Sequence, residues 1–155
     1  MTNAGASFLA FALVVAGCVH SAPASAGIVS PDDLNATPER YHDETVMVEG
    51  FMTLAPEAHN LYQSKALKAE FERRWDAEDP AFEPSAYQTY CLTIANPEAL
   101  MPKREALNGT TITVKGKFLA DYLQGKIDFG ACPLPTAIVI DVDDLKRRYP
   151  SIFAN

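Results

Sequence analysis

Two stretches of this chain carry one pattern, 66 residues apart. Thr45-Val46-Met47-Val48-Glu49-Gly50 matches Thr111-Ile112-Thr113-Val114-Lys115-Gly116, and the second copy belongs to a longer run from Asn108 to Phe118. Apolar and polar residues alternate in both. Successive side chains of a strand point to opposite faces, so the alternation reads as half-buried β-strand, with Ile112, Val114, Gly116 and Phe118 on one side and Thr111, Thr113, Lys115 and Lys117 on the other. A glycine inside each strand weakens a flat sheet but suits a bulge or a sharp bend. A small, strongly curled barrel needs such bends.

The rest of the chain supplies the other parts of that barrel. Strands are predicted over Thr45–Leu54, Leu61–Gln63, Tyr87–Ala95, Asn108–Phe118 and Thr136–Val142. Ser64 is placed to cap a helix running to about residue 78, whose Leu67, Phe71 and Trp75 recur at four-residue spacing and form a core-facing stripe. Glu70 and Arg74 face outward at a pairing distance. Residues 77–85 form an acidic loop punctuated by Pro80 and Pro84, and Asn96 before Pro97 opens a helical stretch to Leu107, interrupted at Pro102. Ser30-Pro31 and Thr37-Pro38 each start a single helical turn, with Leu34 and Tyr41 as apolar pins, and Asp143 caps a short helix ended by Pro150. The fold class expected is mainly β with short helices: a five-stranded barrel with a helical insertion between its second and third strands. That element order matches an oligonucleotide/oligosaccharide-binding (OB) barrel. On Thr45–Gly50, Asn108–Gly116 and the pair Cys91 and Cys132, the chain resembles exported bacterial OB-fold proteins and lipoproteins over about residues 30–149. The resemblance implies a fold and carries no active site with it.

The front of the chain points to export. The first 31 residues hold no charged side chain, and twelve apolar or small residues run from Phe8 to Val19, too short for a membrane span of about 20 residues and suited to a signal peptide. Val15-Ala16-Gly17-Cys18 resembles a bacterial lipobox, in which Cys18 is diacylated and becomes the first residue of a membrane-anchored protein. Ala24-Ser25-Ala26 offers a competing site for ordinary signal peptidase. The expected organisation is therefore a signal peptide over 1–17, or 1–26, a tether over 18–29, and one domain over 30–155. In a cell with two membranes, Val19 after the cysteine matches the outer-membrane sorting pattern. Removing or lipidating Cys18 leaves Cys91 and Cys132 as an even pair in an oxidising compartment, where a disulfide is expected.

The chemistry-bearing residues point to binding rather than catalysis. A net charge of −7 argues against a nucleic-acid partner, whose phosphates demand Lys and Arg. No G-x-S-x-G elbow or phosphate-binding glycine loop is present, and no cofactor is implied. Glu57, His42 and His59 could meet at a zinc ion only if the fold gathered them, and their spacing fits no zinc motif. Asp141, Asp143 and Asp144 could hold calcium, but Asp143 and Asp144 more simply complement the N-terminus of the short helix. Asn35-Ala36-Thr37 and Asn108-Gly109-Thr110 fit the glycosylation pattern, which a bacterial lipobox makes remote. Phe51, Tyr62, Tyr87 and Tyr90 lie near the strand face through which OB barrels bind, and with few cations beside them they suit a sugar or peptide. Alternatively, the same rings pack the barrel and its inserted helix. The function expected is a noncatalytic envelope lipoprotein with a protein partner; a soluble periplasmic domain taking a small ligand or cation is the alternative.

Overall fold

The computed structural model describes residues 27–154. Cys18 and both cleavage sites lie outside them. Six strands form one sheet: β1 (Ile28–Val29), β2 (Thr45–Ala55), β3 (Ala58–Tyr62), β4 (Cys91–Ile94), β5 (Thr110–Leu119) and β6 (Ala137–Ile140). Their order is β1-β2-β3-β4-β6-β5, and β5 returns to pair with β2, so β2 to β6 close into a five-stranded barrel. All pairings in the ring are antiparallel except β4 with β6, the arrangement of an OB barrel. The tether expectation covers β1, which pairs in parallel with Met47 and Val48 of β2.

The two repeated motifs are partners of each other. Val46 lies opposite Gly116, Val48 opposite Val114 and Gly50 opposite Ile112. Even-numbered residues of β2 and β5 point inward, where Val46, Val48, Met52, Leu54, Ile112, Val114 and Phe118 join Leu61, Leu92, Ile94, Ile138 and Ile140 in the core. Both glycines stand on this inner face where a third strand crosses. A Cβ at Gly50 would sit 2.7 Å from Leu61 Cγ and from the Tyr62 carbonyl oxygen; one at Gly116 would sit 2.6 Å from Ile138 Cγ1 and the Val139 carbonyl oxygen. The bends are therefore steric requirements: backbone approaches backbone too closely for any side chain.

Short helices close the barrel. Helix α1 (Pro31–Ala36) starts with a full capping box between Ser30 and Asp33 and sends Leu34 into the core; α2 (Pro38–Tyr41) starts on Pro38 without a side-chain cap from Thr37, and Tyr41 packs edge-on against Phe118. Helix α3 (Lys65–Asp76) is the insertion between β3 and β4, capped by Ser64 as its sequence indicates. Between β4 and β5 the chain makes two 3-10 turns and α4 (Arg104–Leu107). Helices α5 (Val142–Arg148) and α6 (Pro150–Phe153) follow β6.

Several local expectations are corrected. Tyr87 belongs to a 3-10 turn over Pro84–Tyr87 rather than to a strand, because the amides of Gln88 and Tyr90 bond back to Ser85 and Tyr87, leaving β4 to begin at Cys91. Asn96 does not cap the turn after it. Its side-chain amide accepts from the Ile140 N–H at 2.9 Å and donates to the Ile140 carbonyl at 3.0 Å, prolonging the β4–β6 pairing by one step. Helix α5 is capped by Asp141 instead of Asp143, with the Asp144 N–H 2.9 Å from Asp141 Oδ1. Cys91 and Cys132 are joined by a disulfide. Closing a loop of that length, 41 residues apart in sequence, contributes about 4 kcal/mol in the chain-entropy model.

Replacing Gly116 with Ala should cost about 3 kcal/mol through strand displacement. A urea titration checks it: the Gly116→Ala midpoint falls with little change in slope, while Gly27→Ala, where an added Cβ meets nothing within 4 Å, leaves it in place.

Candidate functional site: the barrel mouth and the capped strand face

One end of the barrel is closed by two segments, the β2–β3 turn at Pro56–Glu57 and the loop between β5 and β6. His59, next to that turn, is buried, and its Nε2 lies 3.1 Å from Asp128 Oδ2 in the loop. Tyr122 donates its hydroxyl to the same oxygen at 3.3 Å, and the Gly130 N–H donates to Asp128 Oδ1 at 2.9 Å. An ionised carboxylate only accepts, so it selects the His59 tautomer that carries its proton on Nε2. The other edge of the ring faces Gly130, where even a Cβ would fall 2.6 Å from Nδ1. With both edges occupied, His59 clamps the loop. The loop base is tied separately, by the Tyr122 N–H bonding to the Pro135 carbonyl at 2.7 Å.

Burial works to raise the Asp128 pKa, but the bonds from Gly130, His59 and Tyr122 outweigh it and hold the carboxyl below its ordinary value. Between them the turn and loop leave a cleft of about 570 Å³, lined by Pro56, Glu57, Tyr122, Leu123 and Lys126. At its lip, Ile127 is 81% exposed and Phe129 90% exposed. Asp128, between these two, is turned inward.

The second feature is the outer face of β2, β3 and β4. Phe51, Tyr62 and Cys91 form one cross-strand row, and Thr53, Asn60 and Thr93 the next. The rings expected on an open binding face, Phe51, Tyr62, Tyr87 and Tyr90, are gathered together there but lie only 7–9% exposed. Helix α3 covers them with Leu67 and Phe71, and Phe82 from the following loop joins in. Phe71 is the centre of the cluster, its ring 5.3 to 5.4 Å from those of Phe82, Tyr87 and Tyr90. The helix stripe is core-facing for Leu67 and Phe71 only. Trp75 stacks on Phe71 but stays 58% exposed, one turn past the edge of the barrel face. Glu70 and Arg74 do not pair with each other: Glu70 accepts from the Tyr87 hydroxyl, and Arg74 binds Asp79 and the Ala81 carbonyl.

The remaining candidates are dispersed. His42 accepts from the Ala120 N–H at 3.2 Å and sits beside Asp43, whereas His59 serves the clamp, so the two histidines weighed as zinc ligands have separate partners. Among the described residues no three His, Cys, Asp or Glu side chains converge on a metal position. Asp141 caps α5, Asp143 pairs with Lys146, and Asp144 pairs with Arg147 and Arg148; the Arg148 hydrogen bond above all keeps the Asp144 carboxyl below its usual range. Asn35 is buried, donating to the carbonyls of Thr89 and Cys91 and accepting from the Thr136 hydroxyl.

Tyr122, Asp128 and Gly130 are not marked as functional by any sequence motif, because a clamp built across 69 residues has no spacing signature. The signal for Ile127 and Phe129 is compositional: two large apolar residues inside a loop bounded by Gly125 and Gly130, with no helical or strand period to bury them. The fold defines an OB-like barrel with one strand face capped from within and one mouth carrying exposed apolar side chains. No family model, curated protein or solved structure matches the chain, so the functional argument rests on its sequence and geometry.

A carboxyl held below its ordinary value in the folded state adds stability above the unfolded value near 4, and that contribution disappears as pH falls through the folded value. Asp128→Asn should therefore be less stable than the parent at pH 7. The gap should narrow below about pH 4, as urea midpoints taken down the pH series would reveal.

Proposed function

We propose that this protein is a noncatalytic OB-type module of the bacterial cell envelope, held on a membrane through a diacylated Cys18, that docks an envelope protein at the mouth of its barrel. The observation that carries this reading is the exposure of Ile127 and Phe129 on a loop clamped between them by His59 and Tyr122 through Asp128. Isolated surface apolar residues are ordinary; two together, beside a cleft and held by a buried polar clamp, have the make-up of an interface anchor. Preorganisation matters here, because a loop already fixed loses less entropy when a partner seats on it. The occupied edges of His59 support a structural role for the one buried histidine among the described residues. The lipobox supports the anchor.

The mature protein from its native host should begin at Cys18 with the added mass of a lipid, and should gain two hydrogens on reduction. A mass beginning at Gly27 without lipid would make it a free exported protein. A photocrosslinking residue at position 129 should trap one envelope protein in living cells. Ile127→Ser should lower the yield about tenfold or more without moving the melting temperature, consistent with loss of an anchor worth ~1.4 kcal/mol or more. An adduct indifferent to Ile127→Ser, or none at all, would exclude the barrel mouth as the docking site.

A further inference from the structure

Three aromatic rings of this molecule carry a cation of the chain's own. Arg40 stands over Tyr41 at 5.5 Å, Lys68 over Tyr62 at 5.4 Å and Arg74 over Phe82 at 5.3 Å. Trp75, whose indole attracts a cation more strongly than any of these rings, has none among the described residues. It is the chain's only tryptophan and is 58% exposed. Its ring stacks on Phe71 at 5.9 Å, with Phe82 at right angles 6.2 Å away.

The turn that ends α3 sets fixed carboxylates beside this ring. The Glu78 N–H bonds to the Trp75 carbonyl at 3.1 Å and the Asp79 N–H to the Arg74 carbonyl at 3.2 Å, the two bonds of a Schellman turn. Its left-handed position, where glycine is the usual occupant, is held by Glu78 at φ 48°. Arg74 braces the turn, its Nε 3.1 Å from Asp79 Oδ2, and the Ala81 N–H donates to Asp79 Oδ1 at 2.9 Å. The result is a cleft of about 560 Å³ lined by Arg74, Trp75, Asp76, Glu78, Asp79 and Phe82. Arg74 and Asp79 offset each other's charge there. Asp76 and Glu78 are left without an ion-pair partner among the described residues.

We infer that this cleft is a docking site for an arginine-bearing segment of a protein partner, whose guanidinium seats on the Trp75 indole and pairs with Asp76 and Glu78. The charges are complementary at two ranges. Within the cleft three carboxylates face one guanidinium, and the chain's net charge of −7 steers a basic partner toward it from farther off. Arginine suits the cleft better than lysine, because its planar guanidinium stacks flat on an aromatic ring while its fork of N–H donors reaches the carboxylates. A free quaternary ammonium fits less well, since small-ligand sites enclose most of the ligand and Trp75 stands open. Anionic lipid headgroups are repelled by the same carboxylates. The cleft shares no residue with the one at the barrel mouth, and the inference does not rest on docking there.

With a single tryptophan, the fluorescence of the full chain reports this site alone. N-acetyl-tetra-arginine amide should change the emission saturably at low ionic strength, and the tetra-lysine peptide should bind at least about fivefold more weakly. By calorimetry, Trp75→Leu should weaken tetra-arginine binding about tenfold, and Trp75→Tyr, which keeps a ring face, should recover most of the loss. Asp76→Asn with Glu78→Gln should also weaken it about tenfold, whereas Glu39→Gln with Glu105→Gln, an equal charge change on exposed surface elsewhere, should weaken it less than about twofold. Glu78→Gly should raise the melting temperature by about 3 °C while lowering affinity, a pairing that a purely structural role for Glu78 does not give. These carboxylate variants keep the test open should Trp75→Leu fail to fold. No saturable response to tetra-arginine would overturn the inference, and so would equal losses from the two carboxylate pairs, which would show attraction to the acidic chain at large. Equal binding of tetra-lysine would overturn the arginine assignment. So would tetramethylammonium binding without tetra-arginine binding, or a blue shift with phosphatidylcholine vesicles, which would make Trp75 a membrane-interface residue. The Ile127→Ser variant, altered only at the mouth, should bind tetra-arginine as the parent does, so that this inference and the docking reading stand or fall separately.

Discussion

The pairing of β2 with β5 is the contact on which the rest of the molecule depends. It turns an open meander into a closed ring, and it works only because each strand has a glycine where the ring folds over itself. The same motif, met twice, pairs antiparallel with its own copy about Val48 and Val114. Closure then decides which faces exist at all. An inner face of apolar side chains is sealed, the strands β2 to β6 lose the unpaired edges that invite aggregation, and function is left to the outside of the wall and to the mouths.

Much of this was legible in the residues. The alternation around Val46–Val48 and Ile112–Val114 identified the closing strands and their inward faces, since a period of two has only one reading when apolar residues occupy every second place. Helix α3 announced itself through Ser64 and the spacing of Leu67 and Phe71. In two places where the reading slipped, a side chain met backbone groups that the local pattern did not assign to it. Asn96 completes a strand pairing, and Asp141, two residues ahead of the expected cap, satisfies the Asp144 amide. Such substitutions depend on which backbone groups the fold leaves unmet, and that is settled across the chain rather than within a window of residues.

The candidate sites were less legible, for a related reason. Four aromatic residues could be located near one face, but whether that face is bare or covered depends on where a twelve-residue helix docks, which its own periodicity leaves undetermined. The clamp at the mouth joins His59 to Asp128 and Tyr122 through contacts that span the whole second half of the barrel. The disulfide ties these two regions together: Cys91 belongs to the aromatic cluster, and Cys132 stands in the clamped loop two residues after Gly130, with its N–H bonded to Thr93. The covered face and the exposed mouth are thus mechanically adjacent, though their chemistries differ.

The distance in sequence between β2 and β5 also sets a timetable. A ribosome releases β2 early, but its partner from Thr110 onward comes about 60 residues later, on the order of several seconds at ordinary synthesis rates. During that interval the edge of β2 that β5 will occupy has no strand to pair with. Long-range pairings of this kind are slow because loop closure must precede any reward. The nascent chain therefore passes through a period in which its longest strand is made and unclosed, and whatever protects it then, a chaperone or continuous threading, acts before the barrel exists.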